Sequence, residues 1–221
     1  MSDYSIRNAE QKDIPFLASA IIAAEKGRSD KLSYSTLFNL PQSRVKELII
    51  NMLEEEIDGC ELSVSSFLIV EYDGVPVATS AGWIEAFGDN MPSQILKSNL
   101  IFNTFGKESI EFFKTKAHIV RDILIDRDPL TLQLEYLYIA NEHIGKGLDA
   151  MLINRSIENS LKIYPALQKI QGQLFKNSIF AIIALRKKGF VIAKTCKANN
   201  KEILDYIPFD EKLMMEKQIN R

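Results

Sequence analysis

A chain of 221 residues that is 46% hydrophobic and 25% charged has an ordinary globular composition and enough apolar material for a substantial core. Its net charge of −2, from 27 basic and 29 acidic residues without a long basic block, argues against a nucleic-acid surface and for a small partner. Two cysteines far apart in sequence, Cys60 and Cys196, fit a reducing compartment better than a disulfide framework. The start of the chain has no signal-peptide pattern and its longest apolar run, Phe16 to Ala24, is too short to cross a bilayer, so a soluble cytoplasmic protein with no membrane contact is expected.

In chain order, a short strand is expected near Tyr4 to Arg7, then a helix from about Asp13 with Ile14, Leu17, Ile21 and Ala24 on one face and Pro15 in its first turn. Gly27 to Ser33 is a polar break. A second helix, roughly Ser43 to Glu56, buries Val45, Leu48, Ile49 and Met52, and its acidic end through Asp58 is expected in solvent. Phe67 to Tyr72 and Val75 to Trp83 are β-rich runs joined by Asp73-Gly74, a dipeptide favoured in tight hairpins. The segment 86–130 is longer than a connection between adjacent strands should be. Ile95, Leu96, Leu100, Ile101 and Phe105, then Ile110, Phe112 and Phe113, predict one or two helices within it. It reads equally as an insertion over an acceptor site or as a cover for the sheet edge, including the surface of a homodimer. No repeat, low-complexity tract or linker composition divides the chain, so a single domain over 1–221 is expected, with this helical insertion at about 86–130.

From Leu132 to Leu152 a strand pattern stops, a two-glycine loop follows and a helical pattern begins at once. Both alternating sets of the strand turn apolar toward Ile139, which marks a central strand covered on both faces. Gly145 and Gly147 permit dihedrals and close approaches that a Cβ would forbid. The helix beyond, with Ala150, Ile153, Ile157, Leu161 and Tyr164 in phase, directs its unpaired first-turn N–H groups over the loop, an arrangement suited to phosphate.

This stretch resembles the GNAT superfamily of N-acetyltransferases, whose pyrophosphate loop reads Arg or Gln, two free positions, Gly, one free position, then Gly or Ala. The corresponding window is Ile144, Gly145, Lys146, Gly147, Leu148, Asp149; Ile144 replaces the usual Arg or Gln and Asp149 the usual small residue. The resemblance implies an α/β fold with a mixed, largely antiparallel sheet flanked by helices, and acetyl-CoA as co-substrate. It also implies that the pyrophosphate lies against main-chain N–H groups of Ile144 to Asp149, and that the cofactor runs in a cleft beside Leu137, Tyr138 and Ile139. Asp149 is the hardest departure to accommodate, because a carboxylate and a phosphate charge about 4 Å apart repel by roughly 1 kcal/mol in water and roughly 4 near a protein surface. Its competing role is to serve the dipole of its own helix.

A second block, Ile170 to Phe190, reads as a strand followed by a helix ending at Lys188 before Gly189. Family members commonly carry here an Asn, an Ala three residues on, a Tyr four residues later and a final Gly-Phe. Ala181, Gly189 and Phe190 match, whereas Ser178 stands at the Asn position and Leu185 at that of the Tyr, the usual proton donor to the departing thiolate. Val191 to Cys196 and Ile203 to Glu216 resemble the closing strands. Glu135 is the candidate base or water-positioning residue, since the resemblance places such a carboxylate on the central strand; its competing role is a carboxylate paired with a nearby Lys. Tyr136 and Tyr138 read as core, Lys187 and Lys188 as a solvated helix end, and His118 and His143 as isolated residues without the partners a metal or nucleophile needs. The implied activity is acetyl transfer to a primary amine of a small molecule or protein by direct attack in a ternary complex. Ile144, Asp149, Ser178 and Leu185 together raise the alternative of a catalytically degenerate acyl-CoA-binding or interaction module on the same fold.

Overall fold

The computed structural model describes residues 4–219. The chain opens with β1 (Tyr4–Asn8) and three helices, α1 (Ile14–Lys26), α2 (Ser33–Leu37) and α3 (Gln42–Glu54). A hairpin follows, β2 (Phe67–Tyr72) and β3 (Val75–Ile84), turned by Asp73 and Gly74 at φ 50° and 77°; two consecutive positive values fit the right-handed twist of the flanking strands. Helices α4 (Ser93–Thr104) and α5 (Lys107–Val120) occupy the long segment before β4 (Leu132–Ile139). Then come α6 (Leu148–Ile163), β5 (Lys169–Phe175), α7 (Ile179–Lys187), β6 (Val191–Lys197), α8 (Ile203–Tyr206) and β7 (Glu211–Gln218).

The seven strands form one sheet in the order β1-β2-β3-β4-β5-β7-β6. Every adjacent pair is antiparallel except β4 and β5, which run parallel because α6 carries the chain back over the sheet between them. Side-chain alternation assigns the faces. On β2, Phe67 and Ile69 join Leu17, Ile21, Ile49 and Met52 of α1 and α3, whereas Leu68 and Val70 pack with Leu148 and Leu152 of α6. Leu132 and Leu134 of β4 join Ile153, Ile182, Leu213 and Met215 in a third apolar cluster beneath α6 and α7. Full burial of each such Leu or Ile contributes roughly 1.5–3 kcal/mol, and this two-sided burial holds the helices to the sheet.

One helix went unread in the sequence, and one reading needs correction. Ser33–Leu37 is helical, and the stretch expected to enter the closing strands at Ile203 begins with the single turn of α8. Each is too short for periodicity to show, and tertiary packing supplies what propensity does not: Leu32, Tyr34 and Leu37, like Ile203 and Ile207, are buried in the core cluster. The acidic end of α3 is exposed at Glu54, Glu55, Glu56 and Asp58, as expected, but it is not free of contacts. Glu56 folds back to accept hydrogen bonds from Ser63 Oγ and from the backbone N–H groups of Val64 and Ser65.

Candidate functional site

The site grows out of an interruption in the sheet. The β4–β5 pairing covers only Leu132, Gln133 and Leu134 opposite Ile170, Gln171 and Gly172. Beyond them the β3–β4 register shifts between Thr79 and Ala81, and Tyr136 takes a φ of 51°. An extra residue on one strand bends that strand and raises its twist. From Glu135 onward, β4 therefore has no ladder partner on its β5 side, and the two parallel strands part toward their C-terminal ends. The backbone of Leu137, Tyr138 and Ile139 borders the resulting gap, with Leu137 exposed and Tyr138 and Ile139 half-buried.

The glycine loop lies at the mouth of this gap. After β4, the backbone N–H of Ala140 donates to Val77 O at 2.8 Å, and a short 3-10 turn, Asn141–His143, leads into it. His143 is not isolated as expected: its Nδ1 lies 2.8 Å from Tyr4 Oη, and its ring packs against Tyr4 and Tyr72. The start of the loop is thus pinned to β1 and β2. Gly145 and Gly147 have φ of 80° and 78°, and a Cβ at either would meet nothing within 4 Å. The glycines are required by the left-handed backbone, whereas the space beside them is open. Gly147 is the N-cap of α6 and offers no side-chain acceptor, so the N–H groups of Leu148, Asp149 and Ala150 keep their positive ends toward the loop. Ile144 and Lys146 are exposed, and Leu148 is buried.

Asp149 does not stand as a bare charge. Its carboxylate accepts a hydrogen bond from Lys188 Nζ, so Lys188 belongs to the site instead of a solvated helix end. The pair ties the first turn of α6 to the end of α7 and offsets the repulsion that Asp149 would otherwise exert on a phosphate. Leu185, where the resemblance expects a Tyr, packs against the apolar cluster of Leu132, Leu134 and Ile182 and has no proton to give. Ser178 is the N-cap of α7. On that helix Ile179, Phe180 and Ile183 remain exposed, and Arg28, from the α1–α2 connection, lies 4.6 Å over the Phe180 ring.

On the opposite face of β4 lies a charged cluster that the sequence did not reveal. Glu61, 2% exposed, pairs with Lys97 Nζ at 2.6 Å through one oxygen and with Arg127 at 2.6 Å through the other. Arg127 also reaches Glu135 at 3.2 Å and Ser93 Oγ at 2.8 Å, and stacks 4.9 Å over Trp83. Lys97 donates to Tyr136 Oη at 3.1 Å. Burial disfavours the Glu61 charge, yet Arg127 and Lys97 outweigh it and hold the carboxyl well below the usual range. Lys97 is raised against the same burial, chiefly by Glu61. Glu135 behaves oppositely: burial pushes its carboxyl up, and Arg127 and Lys212 offset only part of that. The candidate base thus takes up a proton more readily than an ordinary carboxylate does, which suits the proton acceptor of a general-base step.

Of the expected residues, the structure gathers Leu137 to Ile139 and Ile144 to Asp149 around the gap and its mouth, with Glu135 on β4 where the gap opens. Reasoning from sequence missed Glu61, Lys97 and Arg127. Only Lys97 left a signal, a cation on the same helical stripe as Leu100 and Ile101. A hollow of about 460 Å³ beside α2, bordered by Asp30, Lys31, Ser35 and Pro208, shares no lining residue with the loop or the cluster. Among the described residues no group of three or more His, Cys, Asp or Glu is arranged to hold a metal, and no helix is long and apolar enough to cross a membrane.

No family model matches the sequence, and no curated protein matches it. Solved structures do. An N-acetyltransferase from Staphylococcus aureus Mu50 superposes with a TM-score of 0.64 at 13% identity, over 96% of this chain and 100% of that one. An agmatine N-acetyltransferase gives 0.58 at 11% identity over 98% and 100%. A putative acetyltransferase from Salmonella typhimurium, solved with acetyl-CoA, gives 0.53 at 14% identity over 100% and 96%. With the parted β4–β5 pair and the glycine loop at its mouth, these likenesses show that the chain has the GNAT N-acetyltransferase fold.

Proposed function

We propose that the protein transfers an acetyl group from acetyl-CoA to a primary amine of a small molecule or protein, by direct attack of the amine in a ternary complex. The observation that carries this reading is the gap between β4 and β5, which ends at a left-handed glycine loop and the uncapped first turn of a 16-residue helix. The unpaired edge of β4 at Leu137 to Ile139 suits an extended, amide-bearing arm that adds to a strand through main-chain hydrogen bonds. Main-chain N–H groups from Ile144 to Asp149 suit a pyrophosphate, with Lys146 and Lys188 close enough in the chain fold to add positive charge. The likeness to a structure solved with acetyl-CoA supports the choice of cofactor.

Glu135 takes the proton that the attacking nitrogen releases. It lies where β4 leaves β5, its charge is disfavoured by burial, and Arg127 fixes its carboxylate. Calorimetry with acetyl-CoA, followed by thiol release across a panel of primary amines, tests the reading. Binding and turnover are expected, and Glu135→Gln should lower kcat by about a hundredfold or more with little change in acetyl-CoA affinity. Undetectable binding at millimolar acetyl-CoA would sink the proposal. The second reading, a degenerate acyl-CoA-binding module, draws on Leu185, half-buried against the apolar cluster where the resemblance expects a proton donor. It predicts binding without turnover on every amine.

A further inference from the structure

We propose that Lys212 on β7 donates the proton that the departing thiolate needs, and that Glu135 recharges it. The inference rests on the acetyl-transfer reading above. It begins from the strand faces. On β7, Leu213 and Met215 belong to the apolar cluster beneath α6 and α7, so Lys212 projects to the other side of the sheet. On β4, Leu132 and Leu134 belong to the same cluster, so Glu135 also faces that other side. The two ionisable groups therefore share a face. Lys212 pairs in register with Phe175, the last residue of β5 and three residues beyond Gly172, where β4 and β5 part company. Its long side chain thus starts at the level of the open gap.

The amine is held by nothing. Lys97 and Arg127 are each engaged by carboxylates, whereas Lys212 makes no hydrogen bond or ion pair within the described residues. The charges that face it are Glu135 from β4, Arg127 from the connection before β4, Lys97 from α4 and Glu25 from α1. Burial lowers the proton affinity of Lys212 and raises that of Glu135, so the gap between the two is narrower than between an ordinary lysine and carboxyl. An ordinary lysine is a poor acid toward a thiolate; one made more acidic by burial is better matched.

The step balances without a further reagent. The free amine attacks the thioester carbonyl and the C–N bond forms, the nitrogen passes its proton to the Glu135 carboxylate, and the C–S bond breaks with its electron pair on sulfur. The Lys212 ammonium protonates that sulfur, and the Glu135 carboxyl then returns a proton to the Lys212 amine. This supplies on β7 what Leu185 on α7 cannot.

The test compares the wild type, Lys212→Met, Lys212→Arg and the Lys212→Met/Leu185→Tyr double variant by thiol release from acetyl-CoA between about pH 6 and pH 10, with thermal unfolding and acetyl-CoA calorimetry on each. Lys212→Met should lose about a hundredfold in kcat with KM for acetyl-CoA within about threefold, and should lose the alkaline fall of the wild-type profile. Lys212→Arg is the decisive variant: it keeps the charge but holds its proton too tightly to donate, so it should be as slow as Lys212→Met. A residue serving only as an ion-pair partner would tolerate Arg. In the double variant a tyrosine at the α7 position should recover at least tenfold of the lost rate. Folded Lys212→Met or Lys212→Arg protein with kcat within threefold of wild type and an unchanged alkaline limb overturns the proposal alone. A wild type that binds acetyl-CoA but acetylates no amine overturns the reading beneath it and the proposal together.

Discussion

The buried carboxylate at position 61 is the most exacting test of the electrostatics. Glu61 is 2% exposed and serves two cations at 2.6 Å each, so Glu61→Gln leaves an ammonium and a guanidinium in the core facing a neutral amide. Removing one partner of a buried pair costs roughly 3–5 kcal/mol. The loss should fall near the low end, because the amide still accepts a hydrogen bond and Arg127 retains Glu135, Ser93 and the Trp83 ring. Lys97 keeps Tyr136 Oη and the faces of the Tyr34 and Tyr136 rings but no carboxylate among the described residues, and is the principal sufferer. About 3 kcal/mol corresponds to a fall of roughly 6–12 °C in Tm for a chain of this size. Circular dichroism at neutral pH measures it, and a second variant separates causes: adding Lys97→Met removes the orphaned ammonium and should recover about half of the loss. The pH dependence carries the same signature. Glu61 has a folded pKa below its unfolded value, so its stabilisation is present above the ordinary carboxylate range and lost as pH falls below it. Glu61→Gln should lack that acid-side decline. A loss below about 1 kcal/mol, or a double variant less stable than the single one, would refute the picture of a desolvated cluster held by Glu61.

The remaining expectations concern the cofactor loop. Asp149→Ala should tighten acetyl-CoA binding by less than about tenfold, since Lys188 already compensates the charge, whereas Lys188→Met should weaken it; calorimetry giving the same sign for both would show that the pair does not face the pyrophosphate. Gly147→Ala introduces a Cβ into open space but at φ 78°, so unfolding measurements should show a loss of roughly 1–2 kcal/mol from backbone conformation alone; no loss would mean that the loop relaxes freely.

What the sequence disclosed and what it hid follow a physical divide. Elements set by short-range pattern were legible: the Asp73-Gly74 hairpin, the strand into Gly145 and Gly147, the helix that follows, and helices within 86–130. The loop's shape was legible because turn chemistry and helix-end geometry are written in consecutive residues. The bulge at Tyr136 was not, although it opens the gap, because nothing in a run such as Leu-Glu-Tyr-Leu-Tyr marks which residue will take a positive φ. Nor was the partner of Asp149: Lys188 lies 39 residues away, and a sequence ending in Lys-Lys-Gly reads as a solvated terminus until α6 and α7 are placed together. Glu61, Lys97, Arg127 and Glu135 come from four separate segments, and only the tertiary fold makes them neighbours.

The long segment between β3 and β4 takes on a purpose in this light. Without it, the β4 carboxylate would lie beside Glu61 with no cation between them, and two buried acids at short range cannot both stay ionised. Helix α4 inserts Lys97 against Glu61 and Tyr136, and the connection after α5 inserts Arg127 between Glu61 and Glu135. Glu85 of the β3 end secures the arrangement by accepting hydrogen bonds from the backbone N–H and Oγ of Ser93, the first residue of α4, and from Trp83 Nε1 beneath Arg127. Arg127 is the shared element. It is ion-paired with Glu61 at 2.6 Å and donates a hydrogen bond to Glu135 at 3.2 Å, and with Lys97 also on Glu61 the two acids are pushed in opposite directions, Glu61 toward its charged form and Glu135 toward its neutral one. Under the proposed function, that asymmetry separates a structural carboxylate from a reactive one within a single buried cluster.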